Sequence, residues 1–544
     1  MPTDFKPDME MPMKRYNGWG DETVHVELPA AAQNILTDLV GAGKPMKSIP
    51  LGELIDTVPP SRMPDAHPGV DTQATKRFEH AHGQSLPDWV AMRFGTMKQF
   101  PDGVAAPESG QEAEDILDFA DKHEMIVVPY GGGTSVVGHL NIPQSDAPVL
   151  TLSMEKMNRL LAFEPENMLA TFEAGVRGPD LETTLQARGY TLGHYPQSFD
   201  YSTLGGWVVT RSSGQQSLYY GRIESLFAGG RVIMPQGRLD LPPYPASAAG
   251  PDLRHLLLGS EGRMGLLTSA SVRISKIPEH DHVYGIFFPN WESAMAAVFE
   301  LANADVPRSM IRLSNPTETY TNLFLAGHEK QIRLLKRYLN IRGLKEENWC
   351  MMLIGLIGSS KLFSAGKRYT KSIIRRHGGI STGTPMGEAW KKNRFRAPYL
   401  RNTLWEKGYA VDTLETATTW KQVTPTIEAI EKSIAGALDH LNEKVHVFTH
   451  LSHVYSTGSS IYTSYVFRIA DTAQETLERW HLIKAAASRE IVNAGGTISH
   501  QHGVGADHKP YLPAEKGKQG IEILRTVFNG IDPQNRMNPG KLID

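Results

Sequence analysis

Cysteine is almost absent from this sequence. Of its 544 residues only Cys350 is a cysteine, so an internal disulfide bond and a cysteine-based zinc site are both excluded. Cys350 directly precedes the apolar residues 351–354, a pattern typical of a buried strand. We therefore expect a structural role for this residue and no catalytic thiol chemistry.

Long apolar runs and an excess of charge of one sign are also missing. No uninterrupted apolar stretch approaches the length that spans a bilayer, and residues 1–15 are polar, without the apolar core of a secretion signal. Lys and Arg number 56 and Asp and Glu 59, for a net charge of −3, which gives no broad attraction to nucleic acid. These absences predict a soluble, cytoplasmic protein that binds no nucleic acid and whose anion sites are local.

Glycine, by contrast, is plentiful and is concentrated in one loop. The sequence contains 50 glycines, and four of them stand in the run PYGGGTSVVG over residues 129–138, directly after the apolar residues 125–128. Glycines at the end of a strand let the backbone approach a ligand closely and turn its N–H groups toward negative oxygens. The run lacks the lysine of a P-loop and the spaced glycines of a dinucleotide-binding unit, so an ordinary turn is the alternative interpretation.

The spacing of apolar residues predicts regular elements around this loop. Ser109 followed by Glu112 forms a capping-box pattern ahead of a helical stripe over residues 113–120. Strands are predicted at residues 149–152, 169–172, 231–234 and 266–274, and longer amphipathic helices at 290–302 and 473–493. Near Pro278 the closely spaced strands give way to separate strands and long amphipathic helices. We therefore divide the chain into a wrapping extension over 1–100, a first domain over 101–277 and a second over 278–544.

Two more segments of the first domain carry conspicuous glycines. Residues 193–221 form a long stretch of low periodicity, rich in Gly, Ser and Thr, and residues 259–265 read GSEGRMG just before a predicted strand. Long irregular loops inside a compact domain are usually functional, because they must find partners for many backbone groups. Three such loops, each near a strand end, can converge on one extended ligand.

In this order the three loops resemble the FAD-binding domain of the vanillyl-alcohol oxidase, or PCMH-type, superfamily. Residues 129–135 match its pyrophosphate loop, residues 202–206 its second flavin loop and residues 259–262 its third. Within the superfamily, the chain is similar nearly end to end to the alkyldihydroxyacetonephosphate synthases. The motifs that carry this likeness are residues 15–20, 193–207, 311–313 and 500–505.

The resemblance implies an α+β, two-domain PCMH-type FAD-binding fold, with an α+β substrate (cap) domain whose C-terminal segment returns to the flavin site. It also implies non-covalent FAD, because His139 lies just past the first loop and does not clearly fill an attachment position. The residues expected to bind FAD are Pro129, Tyr130, Gly131, Gly132, Gly133, Thr134, Ser135, Val136, Gly138, Gln197, Ser198, Ser202, Thr203, Gly205, Gly206, Thr210, Arg211, Ser212, Ser213, Gly259, Ser260, Glu261, Gly262 and Gly265.

The reaction implied by the resemblance belongs to ether lipid synthesis. The acyl chain of acyl-dihydroxyacetone phosphate is exchanged for a fatty alcohol through an adduct on flavin N5, with no net redox change. Carried across by motif, the catalytic residues are Tyr462, His194, His500, His502 and Arg312, and Arg401 binds substrate.

Each of these roles has a physical basis and an alternative. Tyr462 is expected to move a proton at the substrate carbon, although a phenol needs activation to do so near neutral pH; otherwise it is a packed strand tyrosine. Arg312 and Arg401 can clamp a phosphate or carboxylate, although arginines more often form surface ion pairs. His500 and His502 alternate around Gln501, so in an extended segment both rings would project on one side.

A cluster of histidines raises the alternative of a metal site. His446, His450 and His453 are clustered, but metal-dependent 2-hydroxy acid dehydrogenases of the superfamily pair histidines seven positions apart and carry a Glu near the C-terminus. This chain has Ser460 after His453 and Gln501 in place of the Glu, so no metal is expected.

The sequence departs from the synthase motifs at two places, which leaves a flavin oxidase or dehydrogenase as an alternative. Gln501 interrupts a run that is three histidines in eukaryotic synthases, and residues 537–541, MNPGK, are of a form common in flavin oxidases and dehydrogenases. The alternative is an FAD-linked oxidase or dehydrogenase of a 2-hydroxy acid or related small alcohol, and a flavin-binding protein without turnover is the third. A small-molecule or lipid substrate is expected in either enzyme, while peripheral membrane contact and a homodimer are left open.

Overall fold

A computed structural model describes residues 14–327 and 329–544 of the chain. The motif at residues 15–20 lies within this part, whereas residues 1–13 lie outside it. The helices are α1 (Ala30–Val40), α2 (Leu51–Ile55), α3 (Ala74–Glu79), α4 (Leu86–Phe94), α5 (Gly110–Lys122), α6 (Gly178–Gln186), α7 (Leu204–Thr210), α8 (Ser217–Tyr220), α9 (Ile223–Leu226), α10 (Arg254–Leu257), α11 (Trp291–Ala302), α12 (Pro316–Leu325), α13 (Glu329–Ile341), α14 (Ser360–Arg376), α15 (Pro385–Asn393), α16 (Leu400–Glu406), α17 (Trp420–Ala435), α18 (Ala473–Asn493) and α19 (Leu512–Ile531).

The strands form three main sheets and one small pair. They are β1 (Val70–Asp71), β2 (Gly103–Ala105), β3 (Ile126–Tyr130), β4 (Val149–Ser153), β5 (Leu160–Glu164), β6 (Leu169–Glu173), β7 (Tyr190–Thr191), β8 (Phe227–Met234), β9 (Gly237–Leu241), β10 (Leu266–Arg273), β11 (Ser275–Lys276), β12 (His280–Phe288), β13 (Arg308–Ser314), β14 (Cys350–Gly358), β15 (Ile380–Gly383), β16 (Tyr409–Thr419), β17 (His446–Val454) and β18 (Gly458–Arg468).

The helix before the glycine loop is confirmed. In α5, the Ser109 hydroxyl accepts a hydrogen bond from the Glu112 N–H at 3.2 Å, which satisfies one of the free donors of the first turn. Ala113, Ile116 and Ala120 are buried on one face of the helix. The helix packs against β3, which delivers the chain to the glycine loop.

Two sheets carry the three loops expected at the flavin. In the four-stranded sheet, with order β1-β2-β4-β3, the strands β2, β4 and β3 run parallel, and the glycine loop begins at the end of β3. The five-stranded sheet is antiparallel, with order β5-β6-β10-β8-β9. The third loop leads into β10, so the loops after β3 and before β10 reach the same side of the molecule.

The remaining large sheet has seven antiparallel strands, with order β15-β12-β14-β13-β17-β18-β16. Because successive side chains of a strand point to opposite faces, β13 presents Ile311 and Leu313 to the core formed with α11, α14 and α17, and Met310 and Arg312 to a cavity on the other face. Cys350 is fully buried at the start of the interior strand β14, as expected from its apolar neighbours.

Both ends of the described chain are tied into this core. The side-chain amide of Asn402 accepts a hydrogen bond from the Trp19 N–H at 3.0 Å and donates one to the Trp19 carbonyl at 2.9 Å. Near the C-terminus, the N–H of Asn538 donates to the Val127 carbonyl of β3 at 2.8 Å. Residues distant in sequence are thereby brought to the strand that carries the glycine loop.

Across residues 14–327 and 329–544, every helix is either too short or too polar to cross a bilayer.

Candidate active site

A single elongated cavity of about 500 Å³ joins the predicted flavin loops to the open face of the seven-stranded sheet. Its first half is lined by residues 129–136, by parts of the segment 196–215 and by residues of the third loop. Its second half is lined by side chains of β13, β16, β17 and β18 and by residues 501–502. The three loops therefore do converge on one space.

Most of the residues predicted to bind FAD line this cavity. The exceptions are Gly138, Arg211, Gly259 and Ser260, which lie in the same loops but outside the lining. Of the residues predicted to act on the substrate, Arg312, Arg401, Tyr462 and His502 line the cavity, whereas His194 and His500 lie behind its wall.

Glycine is required in the first loop by close backbone approach. A Cβ at Gly132 would overlap the Tyr201 carbonyl oxygen, and one at Gly133, where φ is +72°, would overlap the Tyr130 hydroxyl. Only glycine tolerates both the positive φ and the absence of space. The glycine loop can therefore lie directly on the second loop, which is how the two loops form one wall.

The second loop contains a short helix, α7, within the segment expected to be irregular. Thr203 caps it by accepting a hydrogen bond from the Gly206 N–H at 3.3 Å, and the Trp207 indole donates to the Ser202 hydroxyl at 2.7 Å. His194 packs its ring against Trp207, with 4.9 Å between ring centroids, and places Nε2 2.8 Å from the Ser212 hydroxyl. Burial lowers the pKa of His194 to about 3, so this imidazole is neutral and reaches the cavity only through Ser212.

The third loop contributes a carboxylate that holds the C-terminal part of the site. Glu261 accepts hydrogen bonds from the N–H groups of Val504 and Gly505, at 2.6 and 2.8 Å, and lies 3.0 Å from Nε2 of His139. The amide of Asn538 donates to the Glu261 carbonyl at 2.6 Å. Glu261 thus joins three distant segments at the cavity wall.

A second buried carboxylate, Glu415 of β16, holds the other end of the same segment. It accepts from the N–H groups of His500, Gln501 and His502 at 2.6, 3.1 and 2.9 Å, and from the Ser499 hydroxyl at 2.8 Å. The side chain of Glu415 is 1 % exposed, so these donors replace its water shell. We call residues 499–505 the clamped segment.

The two histidine rings of the clamped segment point in different directions, and only His502 lines the cavity. Nε2 of His500 lies 2.6 Å from the Tyr455 hydroxyl, and the ring lies beside that of His453, with 5.0 Å between centroids and a tilt of 41°. The His502 ring lies 5.6 Å from the Tyr462 ring and lines the cavity with Gln501. The expectation that alternation would direct both rings to one side is wrong, because the turn around Glu415 is not an extended strand. Burial lowers the pKa of both imidazoles.

Tyr462 stands on β18 at the centre of the second half of the cavity. Its hydroxyl donates to the Thr413 hydroxyl at 3.2 Å, and burial raises its pKa to about 12. The phenol is therefore protonated at neutral pH. His450, its partner across the β17–β18 ladder, stacks on it at 4.9 Å with an angle of 27° between the rings.

Arg312 is held by a carboxylate that the sequence did not single out. The Arg312 Nη2 atom donates to Glu318 Oε1 at 2.5 Å, and Nδ1 of His450 lies 2.9 Å from Glu318 Oε2. Burial alone would raise the pKa of Glu318, but the nearby His450 and Arg312 outweigh it and lower that pKa to about 2. Glu318 is thus a buried anion that both side chains share.

Arg401 is a cation with donors to spare. Its Nη1 donates to the Gln84 carbonyl at 3.1 Å, the guanidinium lies 4.3 Å above the Trp89 ring, and burial lowers its pKa. Its buried Nη2 has no hydrogen-bond partner within the described part of the chain. A buried guanidinium with an unused donor on a cavity wall is suited to bind an anionic oxygen.

The three clustered histidines bind different partners. Nε2 of His446 lies 3.0 Å from the Thr321 hydroxyl, Nδ1 of His450 faces Glu318, and Nε2 of His453 lies 3.0 Å from the Gly214 carbonyl. Among residues 14–327 and 329–544, no group of three or more His, Cys, Asp or Glu side chains is arranged to hold a metal ion.

The cavity has polar atoms without hydrogen-bond partners, and these atoms are suited to bind FAD. Ser213 Oγ, Gln215 Oε1 and Asn538 Oδ1 belong to lining residues, are buried, and have no hydrogen-bond partner among the described residues. Buried polar atoms are normally paired, so hydroxyl and amide groups left unpaired on a cavity wall indicate a polar ligand. A glycine loop beside them suits the diphosphate of a dinucleotide.

Several lining residues were not predicted as site residues: Glu318, Asp412 and Thr413 were not named, Trp19 was named only within the motif 15–20, and His450 only as a possible metal ligand. A signal existed for one of them. The short turn at residues 455–457 implies an antiparallel hairpin that lays β17 beside β18. The exact pairing of His450 with Tyr462 depends on a register shift between Leu451 and Val454, which the turn alone does not predict. For Glu318 no local signal was available, because its contact with His450 spans 132 positions.

Loops of this kind on an α+β scaffold, with a cavity running into an antiparallel sheet, define a two-domain FAD-binding flavoenzyme. A family model described as "FAD binding domain" matches residues 101–240, and one described as "FAD linked oxidases, C-terminal domain" matches residues 277–542. The first two cofactor loops lie within the first match and the seven-stranded sheet within the second, while the third loop, residues 259–265, lies between the two matches.

Comparison with individual proteins shows which FAD-binding enzymes this chain is similar to. An alkyldihydroxyacetonephosphate synthase from Dictyostelium discoideum is 29% identical over 570 residues, covering 97% of this chain and 93% of that protein. A solved alkyldihydroxyacetonephosphate synthase structure is 25% identical, with a TM-score of 0.83, covering 97% of this chain and 98% of the other. The structure of p-cresol methylhydroxylase, 13% identical, shares the fold with a TM-score of 0.65 over 92% of this chain and 98% of its own. The chain belongs to the vanillyl-alcohol oxidase, or PCMH-type, superfamily of FAD-binding enzymes, and is an alkyldihydroxyacetonephosphate synthase-like member of it.

Proposed function

We propose that this enzyme exchanges the acyl chain of acyl-dihydroxyacetone phosphate for a fatty alcohol and releases a fatty acid. The observation that carries the proposal is the composition of the second half of the cavity. There a neutral phenol, Tyr462, and two cations, Arg312 and Arg401, face an apolar wall that includes Leu325, Val411 and Phe448. A phosphate, a carbonyl carbon and an alkyl chain each find a matching group in one space.

Each group has a defined task in this proposal. Arg401 holds the phosphate through its unused Nη2, and Arg312, kept in place by Glu318, faces the leaving carboxylate. Tyr462 moves a proton at the substrate carbon beside the carbonyl, with the Thr413 hydroxyl orienting the phenol. FAD held by the three glycine-bearing loops would supply its N5 atom as the attachment point for that carbon. Glu415 and Glu261 hold the clamped segment, which closes the cavity beside the phenol.

A second function is favoured by a specific observation. The C-terminal module is described as that of FAD-linked oxidases, and Gln501, which cannot carry a proton at neutral pH, lines the cavity. An oxidase or dehydrogenase of a 2-hydroxy acid would use the same cavity, with the substrate carboxylate on Arg312 or Arg401.

One experiment separates the two functions. The purified FAD-bound enzyme is mixed without oxygen with either acyl-dihydroxyacetone phosphate plus a fatty alcohol or a panel of 2-hydroxy acids, while flavin absorbance and products are followed. The synthase predicts the alkyl product and no lasting reduction of the flavin by the acids. Stable bleaching by a 2-hydroxy acid, without alkyl product, would establish the oxidoreductase instead.

We also propose that α13 contacts an anionic membrane surface when the lipid substrate is taken up. Leu334 and Ile341 of this helix are 70% and 75% exposed, and Lys330, Arg333 and Arg337 stand on the same helix. Exposed apolar side chains flanked by cations are the pattern of an interfacial helix. Division of the chain at residue 278, a homodimer and location in the cytoplasm stay predictions.

Sedimentation with vesicles of phosphatidylserine and phosphatidylcholine tests the membrane contact. The double variant Leu334→Glu/Ile341→Glu should stay in the supernatant, while Leu161→Glu, at a 52% exposed position on β5, should sediment like the unaltered protein. Equal sedimentation of all three proteins would remove α13 from the contact.

A further inference from the structure

His450 has the surroundings of a general base, although the sequence suggested it only as a possible metal ligand. Its ring lies on the cavity wall, stacked on Tyr462, and the carboxylate of Glu318 stands 2.9 Å from Nδ1. A carboxylate behind one nitrogen of a histidine fixes the ring and its tautomer, and leaves the other nitrogen for a ligand.

The tautomer follows from the hydrogen bonds of Glu318. Both Glu318 Oε2 and Arg312 Nη2 lie near Nδ1 of His450, at 2.9 and 3.3 Å. Arg312 can only donate, and it already donates to Glu318 Oε1 at the shorter distance of 2.5 Å. Nδ1 therefore carries the proton and donates it to Glu318, so the lone pair is on Nε2.

We propose that His450 is a catalytic residue of the exchange, the general base that takes the hydroxyl proton of the incoming fatty alcohol, with Glu318 as its positioning residue. This inference rests on the proposed synthase function. In the first half of the exchange, the bond between the substrate carbon and the acyl oxygen breaks, and its electron pair leaves with the fatty acid carboxylate. Between the halves bound FAD would hold the carbon through N5, using a flavin electron pair. In the second half, the alcohol oxygen forms the new bond to the carbon as the bond to N5 would break and return its pair to the flavin, and the alcohol proton passes to His450 Nε2 and then to solvent. No electrons are gained or lost overall.

The charges around His450 suit this task. The groups that face it are Arg312 from β13, Glu318 from α12 and Tyr462 from β18, with His453 farther along β17. Burial and Arg312 lower the pKa of His450, and Glu318 opposes this change. The imidazole is therefore neutral near pH 7, as a base must be, and Glu318 stabilises the charge that it acquires.

Half-reactions distinguish this role from a structural one. In His450→Gln, exchange of labelled fatty acid into acyl-dihydroxyacetone phosphate should persist within a few-fold, while incorporation of fatty alcohol should fall by roughly 10²- to 10⁴-fold. Bound FAD per chain and the thermal unfolding midpoint serve as readouts of folding. His446→Gln is the matched control, since this histidine stands on the same strand and bonds to Thr321 outside the flavin cavity.

Glu318→Gln adds a pH profile. Loss of the carboxylate removes the charge that raises the pKa of His450, so the acidic limb of alcohol incorporation should move to lower pH. A merely structural role would lower the rate at every pH without moving the limb. Equal loss of both half-reactions in His450→Gln, or unchanged alcohol incorporation, overturns the role of His450. If the unaltered enzyme exchanges neither fatty acid nor alcohol, the synthase function fails, and the role of His450 fails with it.

Discussion

Tyr462 illustrates how the site depends on single residues whose environment the fold sets. On the strand β18 it is flanked by His450 and Thr413, both from neighbouring strands, and burial keeps the phenol protonated at neutral pH. The residue type and its position were predicted from the family motif. The stacked imidazole was not, because it depends on the register of two strands.

Tyr462→Phe should keep FAD and lose most turnover. The substitution removes one hydroxyl, whose partner Thr413 also lines the cavity and can bond to water, so the fold should survive. Loss of a positioned acid or base costs roughly 10²- to 10⁴-fold in rate. Turnover and the flavin spectrum of this variant are compared with those of Tyr190→Phe, a change in the two-residue strand β7. Normal turnover in Tyr462→Phe would exclude the phenol from proton transfer.

At the scale of elements, the helices and strands that local patterns predicted lie close to their observed positions. The helix α18 was expected over residues 473–493 and spans Ala473–Asn493, with Thr472 as its cap. The segment 204–210, by contrast, contains two glycines and two valines, which are poor helix formers, yet it forms α7. Burial of Leu204, Trp207 and Val208 against the first sheets overrides that weak propensity.

The clamped segment is the element whose position sequence patterns could not supply. The two carboxylates that hold it, Glu415 and Glu261, are separated from it by more than 80 and more than 240 positions. Alternation suggested an extended strand for residues 500–502, but the N–H groups of His500, Gln501 and His502 all converge on Glu415. Such convergence requires a turn, and only the tertiary structure reveals the anion at its centre.

Glu415→Gln should therefore loosen the clamped segment. An amide offers one acceptor oxygen where the carboxylate offered two, and its NH₂ group would meet the backbone donors. Hydrogen bonds to a charged group are worth about 1.5–3 kcal/mol each, so we expect a loss of unfolding free energy of roughly 3 kcal/mol or more. In the same variant, the backbone amides of residues 500–502 should exchange hydrogen faster, because they lose their acceptor.

The control for this prediction is Glu478→Gln, at an exposed position of α18. Denaturant midpoints of both variants are measured with FAD in excess. If Glu415→Gln unfolds at the same midpoint as the control, the carboxylate is not what holds the segment.

At the scale of the whole molecule, the cavity is assembled from parts that are far apart in the chain. Trp19, held by Asn402, lines the cavity, as does Asn538 near the C-terminus, which bonds to the third loop. The mixture of Pro, Gly and charge in the first hundred residues predicted a wrapping extension, and the family resemblance predicted a C-terminal segment that returns to the flavin site. The contacts themselves, across 383 and 277 positions, could not be derived from local spacing.

This assembly concentrates charge in the interior, and stability should consequently depend on pH. Asp507 follows the clamped segment and lies near Lys484, Asp412 and Asp88, and burial raises its pKa to about 7. In an unfolded chain the value is about 3.9, so the folded state binds this proton more tightly. The contribution of the protonated carboxyl is fully present below about pH 4 and is lost as the pH rises through about 7.

Asp507→Asn should remove that part of the pH dependence. The amide is neutral throughout, so the variant should lose less stability than the unaltered enzyme between pH 5 and pH 8, by at most about 3 kcal/mol. Denaturant midpoints of the FAD-saturated proteins at each pH measure the difference, with Asp118→Asn on the exposed side of α5 as the control. Parallel curves for Asp507→Asn and the unaltered enzyme would mean that Asp507 is already ionised in the folded state. A flatter curve for Asp507→Asn alone would mean that this carboxyl holds its proton up to about pH 7 in the folded state, because burial disfavours its charged form.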